Sequence, residues 1–198
     1  MNVIQRSDIE KTQESLVTIL NPTKKIKDLQ KQLKFSDTFK NRVALADAYM
    51  DEKMYQEAIE NYNACLKDVF KNDFYVLTKL QEAYYYSNKF EASIGIAEQI
   101  TANPNFKKSR GAFLYGMALE KVEKIEKAES VLRNFDAPYN YYMERLELAR
   151  FLVRNKKIKE GKIVYQEMVE ESDNMSKKGF RTNKILLKKA SEELNQLE

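Results

Sequence analysis

Leu45-Ala46-Asp47-Ala48-Tyr49, with Tyr55, Ala58, Tyr62 and Cys65 behind it, is a pattern that the chain repeats three more times. The second copy runs Leu80, Ala83, Tyr84, Phe90, Ser93, Ala97 and Ile100 and ends at Pro104. The third is Tyr115-Gly116, Ala118, Leu119, Ile125, Ala128, Leu132 and Phe135. The fourth is Leu148-Ala149, Leu152, Ile158, Gly161, Tyr165 and Met168. The leading residues Leu45, Leu80, Tyr115 and Leu148 stand 35, 35 and 33 positions apart. Each copy carries apolar residues at helical spacing on both sides of a short polar break, so each reads as two antiparallel helices. Self-similarity at a period near that length marks a helical solenoid.

The physical reading needs no further assumption. A single helix pair cannot bury its apolar stripe, and stacked neighbours supply the cover, so such repeats come in runs with atypical ends. Small residues stand where two helices approach closely. Gly inside a helix costs roughly 1 kcal/mol relative to Ala, so tight packing is the expected compensation at Gly116 and Gly161.

The four copies resemble the tetratricopeptide repeat (TPR), whose consensus has Leu-Gly, Tyr three residues on, then Ala, an aromatic four later and a terminal Pro. Leu45-Ala46 with Tyr49, Ala58 and Tyr62 is close to it, and Tyr115-Gly116, Leu119, Ala128 and Leu132 fit with apolar replacements. The early Trp is missing throughout, and only Pro104 keeps the terminal Pro. The resemblance spans about residues 38 to 171. It implies an all-α fold, a right-handed α-solenoid of about four TPR helix pairs with N-terminal helices and a C-terminal capping helix.

Around the repeats the chain divides into an N-terminal helical extension (1–36), the array (37–172, with copies at 38–71, 73–106, 108–138 and 141–172) and a last helix (173–198). Ser7 and Glu10 have capping-box spacing and open a helix to about residue 20, which Asn21-Pro22 stops. Residues 24 to 35 form a second helix with Ile26, Leu29 and Leu33 on one side and lysines on the other. Ser36-Asp37-Thr38 then starts the first repeat. Breaks are expected at Asn72-Asp73, Asn103-Pro104-Asn105, Ala137-Pro138 and Ser172-Asp173-Asn174. In the last helix, Phe180, Ile185, Leu186 and Leu194 are expected to cover the end of the stack.

Composition narrows the class further. Five Gly, three Pro and no β-alternating runs favour helices. One cysteine excludes an internal disulfide framework, and Cys65 falls on an apolar face as a buried thiol, which fits a reducing compartment. No stretch approaches the roughly 20 apolar residues that cross a bilayer, and residues 1–6 do not open a secretory signal. A cytoplasmic location is the expectation. The net charge of +4 is mild.

Zero histidine removes the commonest general base and metal ligand. No phosphate-cradling glycine loop, nucleophile elbow or EF-hand is present. No catalytic residue, cofactor or metal site is expected, and the chain reads as a non-enzyme.

The resemblance also implies where a ligand would bind, because the first helix of each TPR pair lines a concave groove. Counting from the anchors, those phases carry Asp47 and Met50 in the first repeat and Tyr75, Glu82, Tyr85 and Tyr86 in the second. Arg110, Phe113 and Met117 follow in the third, and Arg150 and Arg154 in the fourth. The TPR clamp for acidic chaperone tails needs a Lys and an Asn where Val43 and Asp47 stand, so that ligand is not expected. A mixed groove with aromatic and Arg groups suits an extended or helical peptide.

The expected function is therefore a non-catalytic protein-interaction module or assembly scaffold with a protein or peptide partner. The alternative is binding of nucleic acid or an anionic surface through basic ends, at residues 24 to 34, at 154 to 159, and at Lys177, Lys178, Arg181, Lys184, Lys188 and Lys189. Low overall charge makes nucleic acid the weaker partner. Ile9, Leu16, Ile19 and Leu20 give the first helix a stripe that could cover the first repeat, pair with a second copy of the chain, or occupy the groove. The stretch from Asn21-Pro22 to Thr38, with Asn41-Arg42, resembles the link between a membrane hairpin and the TPR array of some bacterial membrane-associated proteins. The hairpin itself does not occur in this sequence.

Overall fold

Polar side chains cap the starts of four helices. A computed structural model of the chain describes residues 22–197. In it Thr38 Oγ1 accepts the Asn41 amide at 3.2 Å, Asp73 Oδ1 that of Val76 at 2.9 Å, Ser109 Oγ that of Ala112 at 3.2 Å, and Ser176 Oγ that of Gly179 at 3.1 Å. Each such cap is worth about 1 kcal/mol. The described residues are all-helical and divide into two compact units, residues 22–89 and 90–197.

The first unit holds α1 (Pro22–Phe35), α2 (Phe39–Asp51), α3 (Tyr55–Cys65), a 3-10 turn (Asp68–Phe70) and α4 (Phe74–Tyr86). Helix α1 lies on α2, α2 pairs with α3, and α3 packs on α4. The second unit holds α5 (Phe90–Ile100), α6 (Arg110–Lys121), α7 (Ile125–Leu132), a 3-10 turn (Arg133–Phe135), α8 (Tyr142–Arg154), α9 (Ile158–Asn174) and α10 (Lys177–Asn195). There α5 packs on α6, α6 pairs with α7, α8 pairs with α9, and α10 lies against both α9 and α8.

The repeat anchors Leu45, Leu80, Tyr115 and Leu148 are all buried. Eight positions after each anchor the backbone enters the left-handed region, at Lys53 (φ 59°), Asn88 (59°), Glu123 (61°) and Lys156 (65°). The residue after each donates its amide back five positions: Met54 to Tyr49, Lys89 to Tyr84, Lys124 to Leu119 and Lys157 to Leu152, at 2.8 to 2.9 Å. This is a Schellman C-cap, which Gly usually occupies. Here the same cap is made four times without one.

Close approach explains the two interior glycines. A Cβ on Gly116 would sit 2.8 Å from the Leu132 side chain, and one on Gly161 would sit 2.9 Å from the Ala149 carbonyl oxygen. Helices α6 and α7, and α8 and α9, meet over these positions.

The expected helix over residues 24 to 35 is α1, with Ile26 buried. The expected helix over residues 8 to 20 and its apolar stripe lie outside the described residues. In α10 the structure differs from the sequence expectation. Leu187 and Ala190 are buried, whereas Phe180 is 39 % and Ile185 73 % exposed. Ile185 stands two residues before Leu187, about 200° round the helix, so it cannot share the covering face. Cys65 is buried as expected, and burial pushes its thiol up to about 11.

Candidate functional site

Three helices of the first unit converge on one carboxylate. Asp47 on α2 accepts the Tyr62 hydroxyl of α3 at Oδ1 (2.6 Å) and the Tyr75 hydroxyl of α4 at Oδ2 (2.9 Å). Tyr62 is fully buried, but Tyr75 leaves 48 % of its surface exposed. Burial, and then the bond to Asp47, raises both hydroxyls above their ordinary pKa, so they stay neutral donors. Lys79, one turn along α4, sits 6.0 Å from the Tyr75 ring centroid and pairs with the buried Glu82 at 3.2 Å. Tyr75, Lys79 and Glu82 thus form one i, i+4, i+7 row on α4. Lys79 escaped the reading of the sequence, although its spacing from Tyr75 and Glu82 carries the signal.

The remaining candidates of this unit are half-buried. Met50 stands one turn after Asp47. Tyr86 stacks on Tyr55 of α3 with ring centroids 5.5 Å apart, and Tyr85 meets Tyr86 edge to face at 5.5 Å. Arrays of this kind present aromatic area whose side-chain freedom is already restricted.

In the second unit the candidates are more occupied. Phe113 is 3 % exposed and packs edge-on against Phe135, itself edge-on to Tyr141. It therefore offers a ligand almost no area. Arg110 is exposed beside the Phe113 ring and the Met143 sulfur, and Met117 is half-buried. Arg154 forks onto Glu120 of α6 at 3.0 and 2.8 Å.

Arg150 is clasped by the last helix. Its Nε lies 2.9 and 3.0 Å from the two Glu193 oxygens, its remaining nitrogens bond Glu193 and Glu147, and Tyr165 donates to Glu193 at 2.7 Å. The Arg150 bond holds the Glu193 carboxyl below its ordinary value despite partial burial, with Tyr165 helping. Arg150 thus fastens α10 to α8, beside a cleft of about 480 Å3 bordered by Arg154, Lys189 and Leu197.

A further charged cluster was not legible in the sequence. Arg145 on α8 is fully buried and binds Asp136 at 3.1 Å, Glu167 at 3.1 Å and Glu171 at 2.6 Å. Glu171 also accepts the Tyr142 hydroxyl at 2.6 Å and the Tyr139 amide at 2.9 Å. Burial would push the Glu171 carboxyl up, but the bonds from Tyr142, Arg145 and the Tyr139 amide together hold it below its ordinary value. Through the Tyr139 amide the cluster holds the loop in which Tyr139 and Tyr141 take left-handed backbone before α8.

These features define a helical-repeat protein whose polar clusters brace helices. Among the described residues no group of three or more His, Cys, Asp or Glu side chains is placed to hold a metal, and no helix is long and apolar enough to cross a membrane. Two solved structures are similar in fold. One is the MamA RS-1 ArsTM double mutant, at a TM-score of 0.71 and 16 % identity, over 83 % of this chain and 93 % of that one. The other is BtubC (BKLC) from P. vanneervenii, at 0.56 and 14 %, over 91 % of this chain and 85 % of that one. The chain has the TPR-like helical fold of MamA. No family profile matches the sequence, and no curated protein matches it.

Proposed function

We propose that the chain is a non-catalytic protein-interaction module, or assembly scaffold, that takes a peptide or protein segment on the first-helix faces of its repeats. The observation that carries this reading is Tyr75, half exposed yet held at its hydroxyl by Asp47. Ordering a rotamer-rich side chain on binding costs about 0.5–1.5 kcal/mol, and here that restriction exists before a ligand arrives. Met50, Tyr85 and Tyr86 supply adaptable and aromatic area on the same unit. A TPR-like fold supports protein partners in general. Within the second unit, Arg110 and Arg154 are exposed, and Met117 and Arg150 are half-buried. Arg150 and Arg154 have carboxylate partners, which a ligand would have to displace.

The test is affinity capture from the native cell lysate at moderate salt, with wild type beside Tyr75→Ala and Met50→Ala variants of confirmed fold. A protein retained by wild type and reduced at least tenfold by Tyr75→Ala supports the reading, since a buried aromatic anchor is worth about 2 kcal/mol or more. Partners captured equally by all three would remove it.

A further inference from the structure

Helix α10 carries more charge than its packing uses. Between Lys177 and Lys189 it holds Lys177, Lys178, Arg181, Lys184, Lys188 and Lys189, and no acid. At 3.6 residues per turn these six fall within an arc of about 140°, opposite the buried Leu187 and Ala190. All six are exposed, and among the described residues only Lys188 makes an ion pair, with Glu192 at 3.3 Å. Inside the same arc stand Ile185, 73 % exposed, and Glu192, the partner of Lys188.

We propose that this face docks on the surface of an anionic lipid bilayer, with α10 lying in the interface plane. Charge complementarity calls for an anionic partner, and three features select the bilayer. Five of the six cations are Lys, a strongly hydrated point charge, rather than the Arg fork that reads individual phosphates. The apolar Ile185 has no counterpart on a phosphodiester backbone but partitions into the headgroup–acyl boundary. The cations are spread over about 18 Å along one face of the helix, which matches a laterally uniform negative surface. The buried face stays on α9 and α8, so docking requires no unfolding.

The experiment is co-sedimentation of the full chain with vesicles of phosphatidylcholine alone, or of equal parts phosphatidylcholine and phosphatidylglycerol, at low and at moderate salt. Binding is expected only to the mixed vesicles and is expected to weaken with salt. Each cation near such a surface contributes about fivefold. The double variant Arg181→Glu, Lys184→Glu, which reverses two exposed charges, should therefore weaken binding by about two orders of magnitude or more. Ile185→Ser should weaken it about tenfold with charge unchanged. All three substitutions are at exposed positions, and circular dichroism serves as the check that the variants fold. Absence of binding to the mixed vesicles at low salt overturns the proposal. So does binding that survives both variants, or a nucleic-acid duplex that binds through the same residues more tightly than the vesicles do.

Discussion

Arg145 on α8 and Glu171 on α9 form an ion pair at 2.6 Å in which the guanidinium is wholly shielded from water. A more open pair in the same unit, Arg154 with Glu120 at 2.8 Å, leaves 47 % of the Arg154 and 12 % of the Glu120 side chain in solvent. The two contacts have similar chemistry and different consequences, because water reaches one guanidinium and not the other.

Removing one partner of the buried cluster strands the other charges. Arg145→Met should cost about 3–5 kcal/mol of stability, read as a drop in the urea midpoint. Arg154→Met, which removes a guanidinium that is half in solvent, should cost less. The double variant Arg145→Met, Glu171→Gln should lose less than the sum of its single changes, since the two residues share one network. Equal losses for Arg145→Met and Arg154→Met would contradict the contrast.

Stability should be flat near neutrality and fall on both sides. Glu171 and Glu193 have carboxyls held below their ordinary values, so their contribution is present above the unfolded carboxylate range and is lost as pH falls through the folded values. Burial raises the Cys65 thiol to about 11, so its contribution is full below the unfolded thiol value and is lost as pH rises toward that folded one. With no histidine, no side chain of ordinary pKa titrates between. Denaturation midpoints measured across pH should show a plateau from about 5.5 to 8.5. A slope between pH 6 and 7.5 would contradict this.

Two glycines should respond in opposite directions to alanine. At Gly95 in α5 no atom lies within 4 Å of an added Cβ, so Gly95→Ala should stabilise by about 1 kcal/mol through helix propensity. At Gly161 the neighbour is the Ala149 backbone oxygen at 2.9 Å, which cannot swing away. Overpacking of roughly 1–3 kcal/mol then outweighs the propensity gain, and thermal melting of Gly161→Ala should come earlier than wild type.

The left-handed caps carry a correctable cost. Glu123 is exposed at φ 61°, where a residue with a Cβ costs roughly 1–2 kcal/mol. Glycine's larger unfolded-state entropy takes back about 0.4–1 kcal/mol, so Glu123→Gly should raise stability by up to about 1 kcal/mol. Asn88→Gly should gain less, because Asn tolerates this region better. A larger gain at Asn88 than at Glu123 would count against this assignment of strain.

Periodic packing was legible and charge burial was not. Leu45, Leu80, Tyr115 and Leu148 repeat because each must sit between helices, and all four do. The turns at Lys53, Glu123 and Lys156 carried no glycine to mark them, although their constant offset from the anchors did. Arg145, flanked by Glu144 and Glu147, reads as solvated surface, since its partners Asp136, Glu167 and Glu171 come from a loop and another helix. Phase counting placed Phe113 toward a ligand, but α6 is buried continuously from Gly111 to Gly116, so no side of that stretch is open. Arg150 has the expected first-helix position and is met by Glu193, a contact that depends on how α10 folds back.

The most direct test of the interaction reading is hydrogen–deuterium exchange of the full chain with and without the protein captured by wild type. Slowed exchange in α2 and α4, around Met50 and Tyr75, with α3 unchanged, is the predicted result. Protection confined to α3, or no change in either first helix of that unit, would contradict a first-helix binding face.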